Sequence, residues 1–423
     1  MQTHFTEEAL KQPHIREADR VLRSCVHCGF CNATCPTYQL LGDERDGPRG
    51  RIYLMKQMLE NPDDDGLVTE QTRLHLDRCL TCRNCETTCP SGVEYHKLLD
   101  IGRAEIERRV PRKASEQALR FGLRKALVDP RRFKALLKLG LTFKPLVPGA
   151  LKNKLPPAPV DAGTRPDHQQ HARQMLILEG CVQPGLSPNT NAATARVLDR
   201  LGIGLTPVSE AGCCGAIDFH LNAQDDGRAR ARANIDAWWP HIEAGAEAIV
   251  QTASGCGAFV KEYRDILADD PAYAEKAARV SELAKDLVEV LRDEDVAPLA
   301  IKESRKLAFH CPCTLQHAQR LGGAVEAVLV KLGFTLTPVA DAHLCCGSAG
   351  TYSITQPELA TQLRDNKLDN LEAGHPETIV TANIGCQTHL ASAGRTEVRH
   401  WIEIVDEALA PATSDGSRAA RSP

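Results

Sequence analysis

The sequence contains few aromatic residues and no long apolar run, and both shortages restrict its function. Phe, Trp and Tyr make up 4% of the 423 residues, which disfavours an aromatic platform for stacking nucleic-acid bases. The formal net charge of −4 also argues against a nucleic-acid partner. No stretch approaches the ~18 apolar residues of a membrane span. Residues 1–20 are charged throughout and lack the apolar segment of a secretory signal peptide, so we expect a cytoplasmic protein.

Several motifs of catalysis and cofactor binding are also absent from the sequence. There is no G-x-G-x-x-G dinucleotide fingerprint, no G-x-S-x-G nucleophile elbow and no H-E-x-x-H zinc motif. The glycine-bearing segment 42–51 lacks the G-K-[ST] ending of a phosphate-binding loop. Its arginines are expected near a metal cluster or at the start of a helix. The chain therefore has no visible site for breaking a C–H bond.

Cysteine, in contrast, is abundant, and the chain contains 17. Eight cysteines form two runs with the spacing C-x2-C-x2-C-x3-C-P, which end at Pro36 and Pro90. This spacing is typical of bacterial ferredoxins with two [4Fe–4S] clusters, in which the fourth cysteine of each run ligates the other cluster. The predicted ligands of the first cluster are Cys25, Cys28, Cys31 and Cys89, and those of the second cluster are Cys79, Cys82, Cys85 and Cys35.

Structural zinc and disulfides are the alternatives for these two runs. Zinc sites also use paired cysteines, but they rarely carry a third cysteine two residues further on. Disulfides are rare in a reducing cytoplasm. Iron–sulfur clusters carry single electrons, so the runs predict an electron-transfer subunit. Because the chain lacks a substrate-oxidising site, we expect a flavin on a partner subunit.

Composition and spacing divide the chain into five predicted segments. Helical periodicity at Gly50–Leu59 and Thr69–Leu76 predicts a spacer between the cysteine runs that small ferredoxins lack. The predicted segments are a ferredoxin-like domain with two clusters at 14–105, a basic helical connector with a Pro-rich linker at 106–173, cysteine-rich domains at 174–300 and 301–411, and a disordered tail at 412–423.

The connector is strongly basic. Residues 102–154 hold 15 Lys and Arg against 4 Asp and Glu, and leucines and phenylalanines recur among them. Such an amphipathic helix is typical of a segment that lies on an anionic membrane surface or on an acidic partner subunit. A helical connector with a solvated basic face is the alternative, since such helices are common in soluble proteins.

The chain after the linker repeats itself. The first half contains Cys181, then Cys213-Cys214-Gly215, then Cys256, and the second half contains the corresponding Cys313, Cys345-Cys346-Gly347 and Cys386. In both halves the first cysteine precedes the cysteine pair by 32 residues. Duplication at matched spacing predicts two homologous domains.

Each half alternates short apolar runs with amphipathic helices, which predicts a parallel, doubly wound sheet. The cysteines directly follow the predicted strands, and open α/β sheets bind ligands at those carboxyl ends. The predicted fold is therefore α+β and multi-domain, with a helical ferredoxin-like domain followed by two tandem α/β cysteine-rich domains. The predicted strands are 175–178, 248–252, 307–310 and 378–381, and the predicted helices are 193–201, 228–242, 323–332 and 358–371.

Each half of the repeat collects four thiols. Soft thiolate ligands suit an iron–sulfur cluster or zinc, whereas a purely packing role is the alternative for buried cysteines. Cys311 is a spare thiol, and histidines near the second set are candidates for quinone contact, proton relay or metal ligation, or are ordinary core and surface residues. The candidate thiols are Cys181, Cys213, Cys214 and Cys256, then Cys313, Cys345, Cys346 and Cys386, and the histidines are His310, His317, His343 and His389.

The two ferredoxin runs followed by two Cys-Cys-Gly repeats resemble the iron–sulfur subunits of glycolate oxidase. The segments 24–38, 47–54 and 252–263 are especially similar to that family. The resemblance implies a complex with two FAD-binding-type subunits that oxidises glycolate to glyoxylate and, less centrally, D-lactate to pyruvate. It also implies a peripheral position on the cytoplasmic face of the inner membrane and electron delivery to a quinone or another acceptor.

The heterodisulfide reductases are related proteins that hold non-cubane clusters in similar domains. They complete each motif with a C-x-x-C pair, whereas this chain has Phe259 and His389 at the final position. His389 is therefore a candidate substitute ligand. The alternative functions are the iron–sulfur subunit of a glycerol-3-phosphate or lactate dehydrogenase, a thiol–disulfide reductase that would need the complete C-x-x-C pairs, and a zinc scaffold without a redox role.

Overall fold

The fold is described from a computed structural model. The structure describes residues 1–64, 66, 68–146, 155, 161–299, 301 and 304–409. Residues 147–154 and 156–160 of the predicted linker and the predicted tail at 412–423 lie outside this part of the chain. Among the residues that are described, no helix is both long and apolar enough to cross a bilayer.

The N-terminal part is helical. Helices Pro48–Glu60 and Glu70–Asp77 separate the two cysteine runs, which confirms the predicted spacer. One apolar core, including Leu22, Met55 and Leu99, joins this spacer to the flanking helices. The α-helices of this part are Pro13–Ser24, Phe30–Ala33, Pro36–Leu41, Pro48–Glu60, Glu70–Asp77, Asn84–Thr88 and Tyr95–Arg109, with 3₁₀ turns at Ala9–Lys11 and Glu44–Asp46.

Two helices, Ala114–Leu127 and Pro130–Thr142, follow this helical part. Pro130 occupies the first helical position and Asp129 caps the helix by accepting a hydrogen bond from the Arg132 amide, as expected for a helix start. Short 3₁₀ turns follow at Lys144–Leu146 and His168–Gln170. The boundaries assigned to the predicted domains stay predictions.

The remaining chain forms two four-stranded parallel sheets with the same topology. The strand order is β2-β1-β3-β4 in the first sheet and β6-β5-β7-β8 in the second. The chain-order neighbours are separated by crossover helices, so the predicted doubly wound architecture is confirmed. The strands are β1 Arg173–Ile177, β2 Ile203–Pro207, β3 Ile249–Gln251, β4 Ala284–Asp286, β5 Lys306–His310, β6 Thr335–Leu336, β7 Thr378–Thr381 and β8 Val398–His400.

Helices cover both sheets. The four helices predicted from periodicity are present, with the observed bounds shifted by a few residues. The helices of the first sheet are Gln183–Leu186, Asn189–Asp199, Ala216–His220, Gln224–Glu243, Ser254–Lys261, Tyr263–Ile266, Ala274–Leu283 and Leu287–Asp293. Those of the second are Ala324–Leu332, Tyr352–Thr355, Pro357–Glu372, Ile384–Ala391 and Trp401–Ala408, and a π-helical turn spans Thr314–Ala318.

The two sheets share one apolar core. Side chains from the first sheet, such as Ile177 and Val250, belong to the same buried cluster as Phe309 and Trp401 from the second. Cys311 also lies in this cluster and is 5% exposed, so the spare thiol is a packing residue. Polar contacts join the same interface: the buried Glu403 carboxylate accepts hydrogen bonds from Ser187 and Thr190, and Arg196 pairs with Asp406 at 2.6 Å.

Candidate metal centres

The first ferredoxin run and the last cysteine of the second run line one cavity. Helix Pro13–Ser24 ends at Cys25, and the short helix Phe30–Ala33 carries Cys31. The cavity is open to solvent at the exposed Cys28. The predicted set of Cys25, Cys28, Cys31 and Cys89 lines it, together with Cys85 from the second run.

The second run lines a neighbouring cavity together with the last cysteine of the first run. Cys35 is buried and precedes helix Pro36–Leu41, whereas Cys85 lies in helix Asn84–Thr88 and borders both cavities. The exchange of Cys35 and Cys89 between the runs follows from a close contact of the two short helices, where the Thr34 and Thr88 hydroxyls are 3.1 Å apart. The four thiols of the second set are Cys35, Cys79, Cys82 and Cys85.

Both loops between the cysteines turn through left-handed backbone. His27 and Gly29 in the first loop have φ of 59° and 86°, and the equivalent Thr81 and Arg83 in the second have φ of 54° and 63°. Left-handed residues reverse the chain within a single residue. The repeated turn directs successive thiols toward one point in each loop.

Burial raises the pKa of two thiols in each set. Burial raises the pKa of Cys25, and it raises the pKa of Cys31 to about 12. Burial also raises the pKa of Cys82 and Cys85 well above the ordinary value. Thiols so far from ionisation become thiolates when a metal cation coordinates them. The soft, four-thiol donor set of each cavity is the one that [4Fe–4S] clusters use.

A fully buried arginine lies beside the second cavity. The Arg51 guanidinium donates to the His75 carbonyl and the Thr37 hydroxyl, and its Nη1 lies 4.0 Å from Cys35 Sγ. It is paired with the buried Asp46, which also accepts hydrogen bonds from His75 and Arg78. Of the two alternatives for the arginines of segment 42–51, Arg51 fits both, since it lies in the first turn of helix Pro48–Glu60 and beside the second thiol set.

In the first cysteine-rich domain the four candidate thiols form a chain of contacts. Cys181 contacts Cys213, Cys213 contacts Cys214, and Cys214 contacts Cys256. Hydrogen bonds from Cys181 and Cys214 lower the pKa of Cys213 well below its ordinary value. The first domain therefore brings together all four thiols predicted from the repeat.

The second cysteine-rich domain repeats this chain of contacts. Cys313 Sγ lies 3.8 Å from Cys345 Sγ, Cys345 contacts Cys346, and Cys346 contacts Cys386. In addition, a ring nitrogen of His310 and the sulfurs of Cys346 and Cys386 all lie within 4.8 Å of one another. Burial lowers the pKa of His310 to about 3, so this imidazole is neutral.

Both Cys-Cys-Gly turns require their glycine. Gly215 and Gly347 have φ of 101° and 85°, and a Cβ would lie 2.7 Å from the Gly227 carbonyl oxygen at the first turn and 2.6 Å from the Ala360 carbonyl oxygen at the second. A side chain at either position would clash with backbone atoms, and the residue would also have to adopt a strained backbone conformation. The backbone therefore approaches closely at both turns.

The second cysteine-rich domain lies against the second ferredoxin thiol set. Cys313 interacts electrostatically with Cys82. Hydrogen bonds also join the second cysteine-rich domain to the ferredoxin-like part. Thr87 Oγ1 lies 2.9 Å from His317 Nδ1, and Asn84 donates to the His343 carbonyl at 3.1 Å. Of the histidines noted in the sequence, His317 and His343 therefore serve this contact between domains.

The residues at the missing fourth motif position do not join the thiols. Phe259 packs edge-on against Phe219 at a centroid distance of 5.4 Å. His389 contacts its surroundings through Nε2, which lies 3.1 Å from the Ala360 carbonyl oxygen. Among the described residues, His310 and not His389 belongs to the group with Cys346 and Cys386. The signal for His310 is a histidine at the end of an otherwise apolar strand.

Comparison with known proteins agrees with both parts of the chain. Residues 21–93 match the family described as "4Fe-4S dicluster domain". Residues 175–261 and 307–391 match the family described as "Cysteine-rich domain". The duplication and the iron–sulfur character predicted from the sequence are thereby confirmed.

Full-length relatives are also found. The chain is 67% identical over 409 residues to "Glycolate oxidase iron-sulfur subunit" of Escherichia coli (strain K12), which covers 97% of this chain and 99% of that protein. It is 30% identical over 457 residues to "Probable glycolate oxidase iron-sulfur subunit" of Bacillus subtilis (strain 168), covering 97% and 100%. "Lactate utilization protein A" of Exiguobacterium sp. (strain ATCC BAA-1283 / AT1b) is 28% identical over 243 residues, covering 54% and 95%. The chain belongs to the family of glycolate oxidase iron–sulfur subunits.

Proposed function

We propose that this chain is the electron-transfer subunit of a complex that oxidises glycolate to glyoxylate, with D-lactate as a second substrate. The observation that carries the proposal is the pair of adjacent four-thiol cavities in a chain 67% identical to a glycolate oxidase iron–sulfur subunit. FAD on two partner subunits would oxidise the 2-hydroxy acid, since this chain has no fingerprint for a flavin or nicotinamide. A quinone is the proposed final acceptor.

The proposal assigns the ligands by cavity. Cys25, Cys28, Cys31 and Cys89 hold one [4Fe–4S] cluster, and Cys35, Cys79, Cys82 and Cys85 hold the other. When bound, such clusters supply one-electron transfer. The role of the protein is to keep the two thiol sets adjacent and to exclude water from the second, whose Cys35 and Cys85 are buried.

The flavin-bearing partner is proposed to dock at the first cavity. Cys28 is exposed there, and large apolar side chains surround it: Val26 is 68% exposed, Phe30 is 62% exposed and Tyr53 is 50% exposed. Exposed apolar residues in one patch favour a protein partner. Electrons would enter at this surface, pass to the second thiol set and continue toward the second cysteine-rich domain, which contacts that set.

Reconstitution with candidate flavin subunits tests the function. The measurement is glycolate-dependent reduction of a quinone analogue, with D-lactate, L-lactate and glycerol 3-phosphate as competing substrates. Cys79→Ser should abolish the activity, whereas Cys311→Ser, which alters a packing thiol, should retain it. Preference for glycerol 3-phosphate or L-lactate, or activity that survives Cys79→Ser, would contradict the proposal.

The docking surface is tested separately. Phe30→Asp should weaken binding of the flavin subunits at least tenfold, because it places a charge in the proposed apolar contact. Val330→Asp is the matched control, since Val330 is 58% exposed on the second cysteine-rich domain. Equal losses in both variants, measured by biolayer interferometry, would argue against docking at the first cavity.

We also propose peripheral attachment to the cytoplasmic face of the inner membrane. On helix Pro130–Thr142 the exposed Leu136 and Leu139 lie beside exposed basic residues, and Phe143 continues the same apolar stripe. This combination favours an anionic lipid surface. Part of the basic charge of the connector is already paired, since Arg124 binds Asp218 at 2.8 Å. The exposed basic charge is therefore concentrated on helix Pro130–Thr142. The exposed basic residues there are Arg131, Arg132, Lys134 and Lys138.

Vesicle co-sedimentation tests this attachment. The chain should bind vesicles containing phosphatidylglycerol and should not bind pure phosphatidylcholine. The double substitution Leu136→Asp and Leu139→Asp should remove the binding, and Val330→Asp should leave it intact. Binding that is unaffected by the double substitution would place the membrane contact elsewhere.

A further inference from the structure

We infer that the second cysteine-rich domain holds a metal centre through an imidazole as well as thiolates, with His310, Cys346 and Cys386 as ligands. A ring nitrogen of His310 and the two sulfurs lie within 4.8 Å of one another. All three side chains are buried, with 2%, 1% and 4% exposure. In the sequence His310 is one of four histidines that are candidates for metal ligation, and among the described residues it is the one that lies with these two thiols. The proposed centre rests on the electron relay proposed above and extends it.

The topology of the second sheet brings these residues together. His310 is the last residue of β5, and β7 pairs beside it in parallel with His310 opposite Thr381. Helix Ile384–Ala391 starts just after β7 and carries Cys386 on its first turn. The Cys-Cys-Gly turn brings Cys346 to the same carboxyl edge. The group is therefore built from the rigid ends of two neighbouring strands, where open α/β sheets form ligand sites.

The hydrogen bonds of His310 leave one nitrogen for a metal. Nδ1 lies 3.0 Å from the Thr381 hydroxyl, whereas Nε2 is buried and has no hydrogen-bond partner. A buried polar atom without a partner is costly. Histidines that ligate metals commonly fix their orientation through a hydrogen bond of the other ring nitrogen. The Thr381 contact fits that role, and a metal would satisfy Nε2.

Two polar side chains lie close to the sulfurs of the proposed site. The Asn383 side-chain amide donates to Cys386 Sγ at 3.4 Å. Lys367 is buried nearby, and its ammonium group and the thiols Cys345 and Cys346 act on each other electrostatically. A positive charge and a donated hydrogen bond both favour ionised sulfur. Both contacts would stabilise the sulfurs as thiolates once a metal is bound to them.

The first cysteine-rich domain provides an internal comparison. The position equivalent to His310, three residues before the first cysteine of the set, is Leu178, which packs in an apolar cluster. The thiols are otherwise arranged alike in the two domains. The imidazole is thus specific to the second domain, whose Cys313 interacts electrostatically with Cys82 of the second ferredoxin thiol set.

Thiolate and imidazole ligands together specify a class of metal. They suit zinc or the iron of an iron–sulfur centre, and they do not suit magnesium or calcium, which prefer oxygen. Cys313 and Cys345, 3.8 Å apart, adjoin the group and can extend the ligand set. Elemental analysis distinguishes the two metals.

The test uses the full chain purified anaerobically from iron- and zinc-supplied cells. Two cubanes account for about eight irons per chain, and metal beyond that amount is assigned to the cysteine-rich domains. His310→Leu, which introduces the residue of the first domain, should lose at least half of that additional metal. His389→Leu, which alters a neighbouring buried histidine, should retain it. An unchanged additional metal content in His310→Leu would overturn the inference.

A second measurement keeps the inference testable if His310→Leu does not fold. In the wild-type chain labelled with ¹⁵N-histidine, pulsed EPR for iron, or X-ray absorption for zinc, should detect one imidazole nitrogen bound to the additional metal. Absence of a nitrogen ligand, or of any metal beyond the two cubanes, would overturn the inference. Because neither measurement uses glycolate, failure here leaves the proposed substrate unaffected, and failure of the glycolate assay leaves the metal site unaffected.

Discussion

Two cysteines define the arrangement of the ferredoxin-like part at the scale of single residues. Cys35 belongs to the first run in the sequence but lines the second cavity, and Cys89 belongs to the second run but lines the first. Each run thus depends on the other for its fourth thiol. A change in one run should consequently be detected at the other cavity.

Substitution of Cys35 tests this dependence. Cys35→Ala should destabilise the cluster held by Cys79, Cys82 and Cys85, and Cys89→Ala should destabilise the cluster at Cys25. The EPR spectrum of the dithionite-reduced chain measures both, because loss of either cluster removes one signal and its interaction with the other. Loss of the same signal in both variants would refute the assignment.

Arg51 is the residue that most distinguishes the two cavities electrostatically. Its guanidinium is 1% exposed and lies 4.0 Å from Cys35 Sγ, whereas Arg49 at the first cavity is partly exposed and pairs with Glu44. Asp46 offsets the charge of Arg51 but also pairs with Arg78, so this group keeps one net positive charge, whereas the Arg49–Glu44 pair has none. A net positive charge stabilises the reduced, more negative state of a nearby cluster. We therefore expect the second cluster to have the higher reduction potential, which favours electron flow from the first.

Replacement of Arg51 should lower the potential of the second cluster. One unit charge at ~8 Å contributes about 2 kcal/mol at an effective dielectric constant of about 20, which corresponds to roughly 90 mV for one electron. Arg51→Gln should lower the potential by this order, whereas Arg51→Lys should retain most of it. Redox titration followed by EPR measures the shift, and the exposed Arg45→Gln is the control. A potential unchanged in Arg51→Gln would exclude the electrostatic role.

At the scale of secondary structure, the central strands were predictable and the edge strands were not. The apolar runs at β1, β3, β5 and β7 correspond to buried strands. The edge strands β4 and β8 are three residues long and contain charged residues, so neither length nor alternation distinguishes them from loops. Their strand conformation depends on pairing with a neighbouring strand, which the local sequence does not encode.

The same limit applies to the candidate sites. Three thiols of each ferredoxin set were predictable because their spacing within a run is local, and the fourth because this spacing is typical of ferredoxins that exchange it between runs. The position of His310 next to Cys346 and Cys386 depends on the register of β5 against β7, and the burial of Arg51 depends on packing between helices. Neither tertiary relation has a signature in the sequence. The hypothesis that His389 is a ligand was drawn from alignment of the motifs, whereas the group close to Cys346 and Cys386 contains His310.

Helix Leu287–Asp293 begins with a buried capping residue that titrates. Asp286 caps the helix in a capping box with Glu289 and accepts a hydrogen bond from the Val288 amide at 3.2 Å. Burial raises its pKa from 3.8 to about 7. The folded chain therefore holds this proton more tightly than the unfolded chain, and stability falls as pH rises from about 4 to about 7.

Asp286→Asn should remove this component of the pH dependence. The asparagine retains an N-cap but does not ionise. The free energy of unfolding of the variant, relative to that of the wild type, should therefore rise by at most ~4 kcal/mol between pH 4 and pH 7. Urea unfolding at a series of pH values measures the difference. Asp293→Asn at the other end of the helix is the exposed control. A constant difference between Asp286→Asn and the wild type would contradict the assignment.

At the scale of the whole molecule, the order of the parts describes a route for electrons. The first cavity opens to the surface at Cys28, the second adjoins it at Cys85, and the second cysteine-rich domain contacts the helix that carries Cys85 through Asn84 and Thr87. The first cysteine-rich domain contacts the same ferredoxin-like part through the ion pair of Glu262 with Arg83, and it also meets the basic connector, where Val128 packs with Cys181 and Cys213. The duplicated domains are therefore unequal in position as well as in the residue at His310.

The two cysteine-rich domains are nevertheless one cooperative unit in their packing. Their sheets share an apolar core, and the interface adds the buried Glu403 and the Arg196–Asp406 pair. Neither domain buries its inner face without the other. We expect both to unfold together, because separation would expose core residues of each.

Truncation of a shared core residue tests this cooperativity. Trp401 belongs to the second domain, is fully buried and contacts the shared core. Trp401→Ala should cost about 3–5 kcal/mol and should lower hydrogen-exchange protection of β1 and β3 as much as that of β5 and β7. Trp239→Ala, at a partly exposed tryptophan of the first domain, should change protection little. If protection falls only after residue 301, the domains unfold separately, and the shared core contributes little to their coupling. Equal loss of protection in both sheets would mean that a mutation in either cysteine-rich domain destabilises the thiols of both domains. The two sheets that position these thiols would then fold as one unit.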